Sequence, residues 1–139
     1  MDVRRLTDAI AVTSQISVPD VAEAARLGFR TLINNRPDGE DPGQPSAREI
    51  EAAARAAGLE YHHLPVTMGA LGARDARAFT ALLTQAHAPV LAFCRSGTRS
   101  AMLWALTRAG YGDTEQVISV AARAGYDLTG LRPVLEHGI

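Results

Sequence analysis

Cys94 is the chain's one cysteine, and it opens the run Cys94-Arg95-Ser96-Gly97-Thr98-Arg99-Ser100. An apolar segment, Pro89 to Phe93, leads into the run, and a helical segment, Ala101 to Ala109, follows it. A thiol there meets positive potential from three sources: two arginines, loop N–H groups that can converge on one point, and the N-terminal end of a helix. Such surroundings favour the thiolate, the form that attacks sulfur or phosphorus. Gly97 lets the backbone take a positive φ and approach a ligand closely. Arg99 offers a planar fork to an oxyanion, and Arg95 can receive a second anionic group. Ser96 lines the same loop, and the hydroxyls of Thr98 and Ser100 can donate to an anion or to the sulfur. A structural cysteine packed as a small hydrophobe is the plainer reading. Two arginines and a glycine within five residues of the thiol argue against it.

Few other residues suggest chemistry. Arg36 and Asp38 follow an apolar strand and are placed at the border of the same pocket. His62 and His63 are neighbours on a strand and so face opposite ways, which leaves no metal-ligand set. No metal and no cofactor is expected. His87 and His137 fall near helix C-termini, where a cation complements the dipole. Met102 and Trp104 read as core, and Tyr126 as either core or one wall of the site.

The elements around these residues alternate. Arg4 to Ser17 reads as short strands about a turn, and Pro19 to Arg26 as a helix stopped by Gly28. Phe29 to Asn34 is a buried strand entering a loop of turn formers, Asn35 to Gly43. Ser46-Ala47-Arg48-Glu49 is a capping box opening an alanine-rich helix that ends at Gly58. Leu59 to Val66 is a strand, Thr67 to Gly72 a loop, and Arg74 to His87 an amphipathic helix. Asp113 to Ala124 and Leu128 to His137 are two last helices. The alternation predicts an α/β domain with a central, mostly parallel sheet flanked by helices. In such a sheet ligands sit beyond the carboxyl ends of the strands, where Cys94 falls.

At 139 residues, residues 1–139 are expected to form a single domain. A net charge of −1 gives no reason to expect nucleic acid or an anionic membrane as partner. One cysteine permits neither an internal disulfide nor a cysteine-based zinc site. The amino-terminal residues do not resemble a signal peptide, and no apolar run reaches the ~20 residues that span a bilayer. A cytoplasmic location is the expectation.

Two families use loops of this kind. In protein tyrosine and dual-specificity phosphatases five residues separate the cysteine from the arginine; in rhodanese-type sulfurtransferases the loop is one residue shorter. Four residues, Arg95 to Thr98, stand between Cys94 and Arg99, so the loop resembles the rhodanese form. With ~3.8 Å between successive Cα atoms, one residue fewer narrows a near-circular cradle by about 1 Å. A tighter cradle suits a terminal persulfide sulfur better than a tetrahedral phosphate. Outside the loop the chain resembles the phosphatases. Phe29 to Arg36 is similar to the strand and loop after their first helix, and His63-Leu64-Pro65-Val66 to the segment before their general-acid loop. Thr67 and Met68 stand where the aspartic acid is usual, and Phe93 where a histidine is usual. Asp75 and Asp38 are the possible substitutes, though both also read as helix-start and turn residues. Phosphoester cleavage needs a proton on its leaving oxygen; sulfur transfer does not.

From end to end the chain resembles the phosphatase-like domain of beta-lactamase-hydrolase-like proteins, a family also described as small sulfurtransferases. Ile33 to Asp38, Cys94 to Ser100 and Ala122 to Leu128 carry that resemblance. It implies a dual-specificity-phosphatase-like fold, Cys94 and Arg99 as catalytic residues, and a place in sulfide oxidation. The implied partners are a small anionic sulfur donor, a thiol acceptor and a persulfide dioxygenase. A cysteine-dependent phosphatase acting through a phosphocysteine is the alternative activity.

Overall fold

The structure is a computed structural model and describes residues 1–139. Five strands form one sheet: β1 (Arg4–Arg5), β2 (Ile10–Thr13), β3 (Thr31–Asn34), β4 (Glu60–His63) and β5 (Val90–Phe93). Their spatial order is β1-β2-β5-β3-β4, with β1 antiparallel and every other pairing parallel. β5 is therefore central, with Phe93 registered against Thr13 on one side and Asn34 on the other. The α/β architecture with a mostly parallel sheet is the expected one.

Alternation along the strands explains the layers. Ile10, Val12, Ile33, Val90 and Ala92 face one core, while Ala11, Leu32, Leu91 and Phe93 face the other. The second face is covered by α1 (Val18–Arg26) and α2 (Ala47–Ala56), through Val21, Ala24, Ile50 and Ala54. Each starts on a serine in a full capping box, Ser17 with Asp20 and Ser46 with Glu49. The first face packs against α3 (Ala73–Gln85), α4 (Thr98–Leu106), α5 (Thr114–Arg123) and α6 (Arg132–His137), the last entered through a 3-10 turn at Thr129–Leu131. Trp104 lies in this core and Met102 packs at its edge. No helix is long and apolar enough to cross a membrane.

The strands are shorter than the sequence reading, and several helix ends shift. Phe29 and Leu59 are buried but precede their strands, because each follows a positive-φ glycine that ends a helix, Gly28 and Gly58. α4 begins at Thr98, three residues before the expected start, and α6 at Arg132, after the 3-10 turn that occupies the expected start. The N-cap of α4 is Gly97 at φ 91°, so the second half of the reactive run is already helix.

Candidate active site

Cys94 leaves the central strand at its carboxyl end and is fully buried. Its sulfur accepts the Gly97 N–H at 3.1 Å. The N–H groups of Ser96, Arg99 and Ser100 make no hydrogen bond within the protein. They are the free donors expected where a loop enters a helix, and they line one short arc of chain around the thiol. Two loop carbonyls are drawn the other way. Arg95 O accepts from Gln15 N at 3.2 Å, and Ser96 O from the Tyr126 hydroxyl at 3.2 Å.

Arg99 is buried, and three of its N–H groups are engaged. Nη1 and Nη2 donate to Glu40 at 2.7 and 2.8 Å, and Nη1 also reaches Val66 O at 2.9 Å. A guanidinium has five N–H donors, so Nε–H and one Nη2–H remain, on a single edge. Glu40, and secondarily the Cys94 sulfur, raise the affinity of Arg99 for its proton, against the effect of burial. Arg36, also buried, donates to Glu40 at 2.8 Å, to Asp41 at 2.6 Å and to Gln15 at 3.1 Å. Hydrogen bonding from Arg99, with help from Arg36, holds the Glu40 carboxyl down at about 2 despite partial burial. Glu40 is thus a fixed anion between two fixed cations.

The remaining candidates divide. Arg95 is mostly exposed, with Nε 3.6 Å from Asp41, so it stands at the rim. Ser96 and Thr98 pair their hydroxyls at 2.9 Å. Ser100, expected to face the anion or the sulfur, instead donates to Asn35 Oδ1 at 2.8 Å. The early start of α4 turns that side chain toward the β3 loop. Asp38 does not join the site by its carboxylate, which accepts from Ala47 N at 2.7 Å at the start of α2. Asp75 likewise accepts from Gly72 N at 3.2 Å and starts α3. His62 reaches Glu60 and His63 reaches Arg36 O, in different directions. His87, assigned from sequence to a helix dipole, lies beyond α3 and pairs across the sheet edge with Glu60 at 2.9 Å. His137 sits in the last turn of α6.

Sequence reading did not single out Glu40, Asp41 or Gln15. One signal was available: a buried arginine needs a counter-charge, and the loop after β3 is rich in acids, with Asp38, Glu40 and Asp41. Roomy surface cavities of about 510 and 370 Å³ lie elsewhere, beside Asp2 to Leu6 and beside Thr80, Arg108 and Tyr111. Neither is lined by the thiol. We place the site at the loop because thiol, free amides and arginine meet there.

A mostly parallel sheet that presents a buried cysteine, free loop amides and a buttressed arginine at its central strand end is the frame of a phosphatase-like domain. Residues 2–111 match the family described as beta-lactamase hydrolase-like protein, phosphatase-like domain, and the chain belongs to it. A beta-lactamase hydrolase-like protein of Agrobacterium fabrum is 33% identical over 135 residues, covering 96% of this chain and 31% of the relative. The chain therefore spans about a third of the length of the curated relatives it matches. A solved structure from Neisseria meningitidis, with a provisional phosphatase description, has 36% identity and a TM-score of 0.88 over 98% of this chain and 97% of that one. The catalytic core of a PP-IP phosphatase from S. cerevisiae shares the fold at a TM-score of 0.73 and 13% identity, over 98% of this chain and 84% of that one. The family and fold expected from sequence hold. These two solved structures carry phosphatase names, and neither name mentions the sulfur chemistry expected from the loop length.

Proposed function

We propose that this domain transfers sulfane sulfur through a persulfide on Cys94. The observation that carries the reading is that each candidate acid around the four-residue loop is already engaged by an arginine or a backbone group. Glu40 is held ionised by Arg99 and Arg36, Asp41 is paired with Arg36, and Asp38 and Asp75 accept backbone N–H groups at helix starts. His63 spends Nε2–H on Arg36 O. A phosphoester's alkoxide needs that proton, a contribution of about 10²–10⁴ in rate; sulfite and thiolate leave without it.

The Cys94 thiolate attacks the outer sulfur of thiosulfate or of a low-molecular-weight persulfide. A bond forms between Sγ and that sulfur, and the donor's own bond to it breaks. The electron pair departs with sulfite or with the donor thiolate. The persulfide anion then lies against the free N–H groups of the loop and the open edge of Arg99. Arg95 at the rim meets the donor's anionic end. A thiol or cyanide attacks the outer sulfur next and restores the Cys94 thiolate. A persulfide made this way is the substrate class of the persulfide dioxygenase that the family resemblance implies.

The relatives' descriptions favour a second reading, a phosphatase acting through a Cys94 phosphocysteine. Intact mass after incubation with thiosulfate, with glutathione persulfide and with an aryl phosphate separates the two. A gain of one sulfur on the parent, absent in Cys94→Ser, is the expected result. Saturable, vanadate-sensitive turnover of the aryl phosphate with no sulfur gain would overturn it. Thiocyanate formation by Cys94→Ser would remove the covalent mechanism altogether.

A further inference from the structure

Tyr126 lies in the turn between α5 and the 3-10 turn, 30 residues from the loop it touches. Its hydroxyl donates to Ser96 O at 3.2 Å. Ser96 C=O and Gly97 N–H belong to one planar trans peptide, so they point in opposite directions. Holding the carbonyl outward toward Tyr126 aims the N–H inward, and that N–H meets Cys94 Sγ at 3.1 Å. Gln15 N does the same for the preceding peptide through Arg95 O, which turns the free Ser96 N–H inward. A hydrogen bond accepted by a carbonyl also polarises its amide and strengthens the N–H as a donor.

The contact is close enough to constrain the sequence. A Cβ on residue 97 would lie 2.2 Å from Tyr126 Oη and 3.2 Å from Thr13 O. The ring is itself held. The Arg4 guanidinium stands 5.6 Å from its centroid, and Arg4 Nη1 donates to Ala124 O at 2.7 Å. Burial raises the affinity of the phenol for its proton, partly opposed by Arg4, so the hydroxyl remains a donor.

We infer that Tyr126 is a positioning residue for the nucleophile: its hydroxyl sets the Ser96–Gly97 peptide plane that delivers an N–H to the Cys94 sulfur. The inference rests on Cys94 being the nucleophile and holds whether the group transferred is sulfur or phosphate. Its test therefore reads the thiol itself. Tyr126→Phe keeps the ring against Gly97 and Arg4 and removes only the oxygen. At neutral pH, the rate of Cys94 alkylation by iodoacetamide should fall about three- to tenfold, the loss of one hydrogen bond's influence. The Gly97 amide proton should move upfield and exchange faster in NMR spectra, while the melting temperature shifts by no more than a few degrees. Cys94→Ser serves as the blank. An unchanged alkylation rate overturns the inference, as does a slower rate without change at the Gly97 amide. A loss of stability large enough to explain the slower rate overturns it equally. Failure of sulfur loading in the parent would instead count against the proposed function and leave this measurement standing.

Discussion

The loops that follow β5 and β3 lie side by side at the carboxyl end of the sheet and do unlike work. The β5 loop is short, running from Cys94 to the Gly97 cap, and contributes mainly backbone: amides turned inward, carbonyls turned out. The β3 loop is long, running from Asn35 to the Ser46 cap, and contributes side chains: Glu40 against Arg99 with Arg36 holding Glu40, Asn35 against Ser100, Asp41 against Arg95. A backbone site depends on φ and ψ at one or two residues. A side-chain site depends on charge pairs that must balance. The two loops should therefore fail in different ways when altered.

The largest effect is expected at the glycine. Gly97→Ala forces a Cβ into Tyr126 Oη at a backbone angle that L-residues avoid. It should cost about 3 kcal/mol of stability and reduce turnover at least about 100-fold, measured by denaturation and steady-state rate. Wild-type turnover in this variant would break the view that backbone geometry governs the β5 loop.

Glu40→Gln comes next. It removes the shared anion, leaving buried Arg99 without a countercharge and buried Arg36 with Asp41 alone. A loss of about 2 kcal/mol is expected, with turnover down about tenfold as Arg99 loses its anchor. A variant with wild-type stability and rate would show that Glu40 is incidental.

The same carboxylate sets an acid limb. Its folded value of about 2 lies below the ordinary 4.5. The stability it contributes is complete above the ordinary value and is lost as pH falls from there through about 2. Urea midpoints across that window should fall more steeply in the parent than in Glu40→Gln. Parallel curves would assign the acid limb to other carboxylates.

The smallest effects belong to the caps. Asp38→Ala and Asp75→Ala should each cost about 1 kcal/mol and leave turnover within about twofold. A collapse of aryl-phosphate turnover in either variant would identify a working acid and favour phosphate chemistry.

The same contrast explains what the sequence disclosed. The β5 loop was readable because its chemistry is consecutive: strand, cysteine, glycine, arginine and helix occupy one stretch. The apolar runs of β2, β3 and β5 and the capping box at Ser46 were readable for the same reason, since each is a local pattern. The partnership of Glu40 with Arg99 spans 59 residues and leaves no periodic trace in a loop of turn formers. Asp38 showed the converse. Its place beside Arg36 suggested the site, but the nearest unpaired donor was the first amide of α2. Ser100 was assigned by proximity to the thiol; the helix start at Thr98 rotated it onto Asn35.

The Arg4 contact joins the two ends of the fold, since Arg4 on the first strand grips Ala124 across 120 residues and stacks on Tyr126. Closing so long a loop is costly in entropy, and contacts of this separation are favoured only once most of the core is in place. A chain still folding, or one whose last helices have come away, carries Cys94 without the Ser96 peptide held in position. The aim of the thiol's nearest amide is thus tied to completion of the fold, and a half-assembled molecule keeps a quieter cysteine.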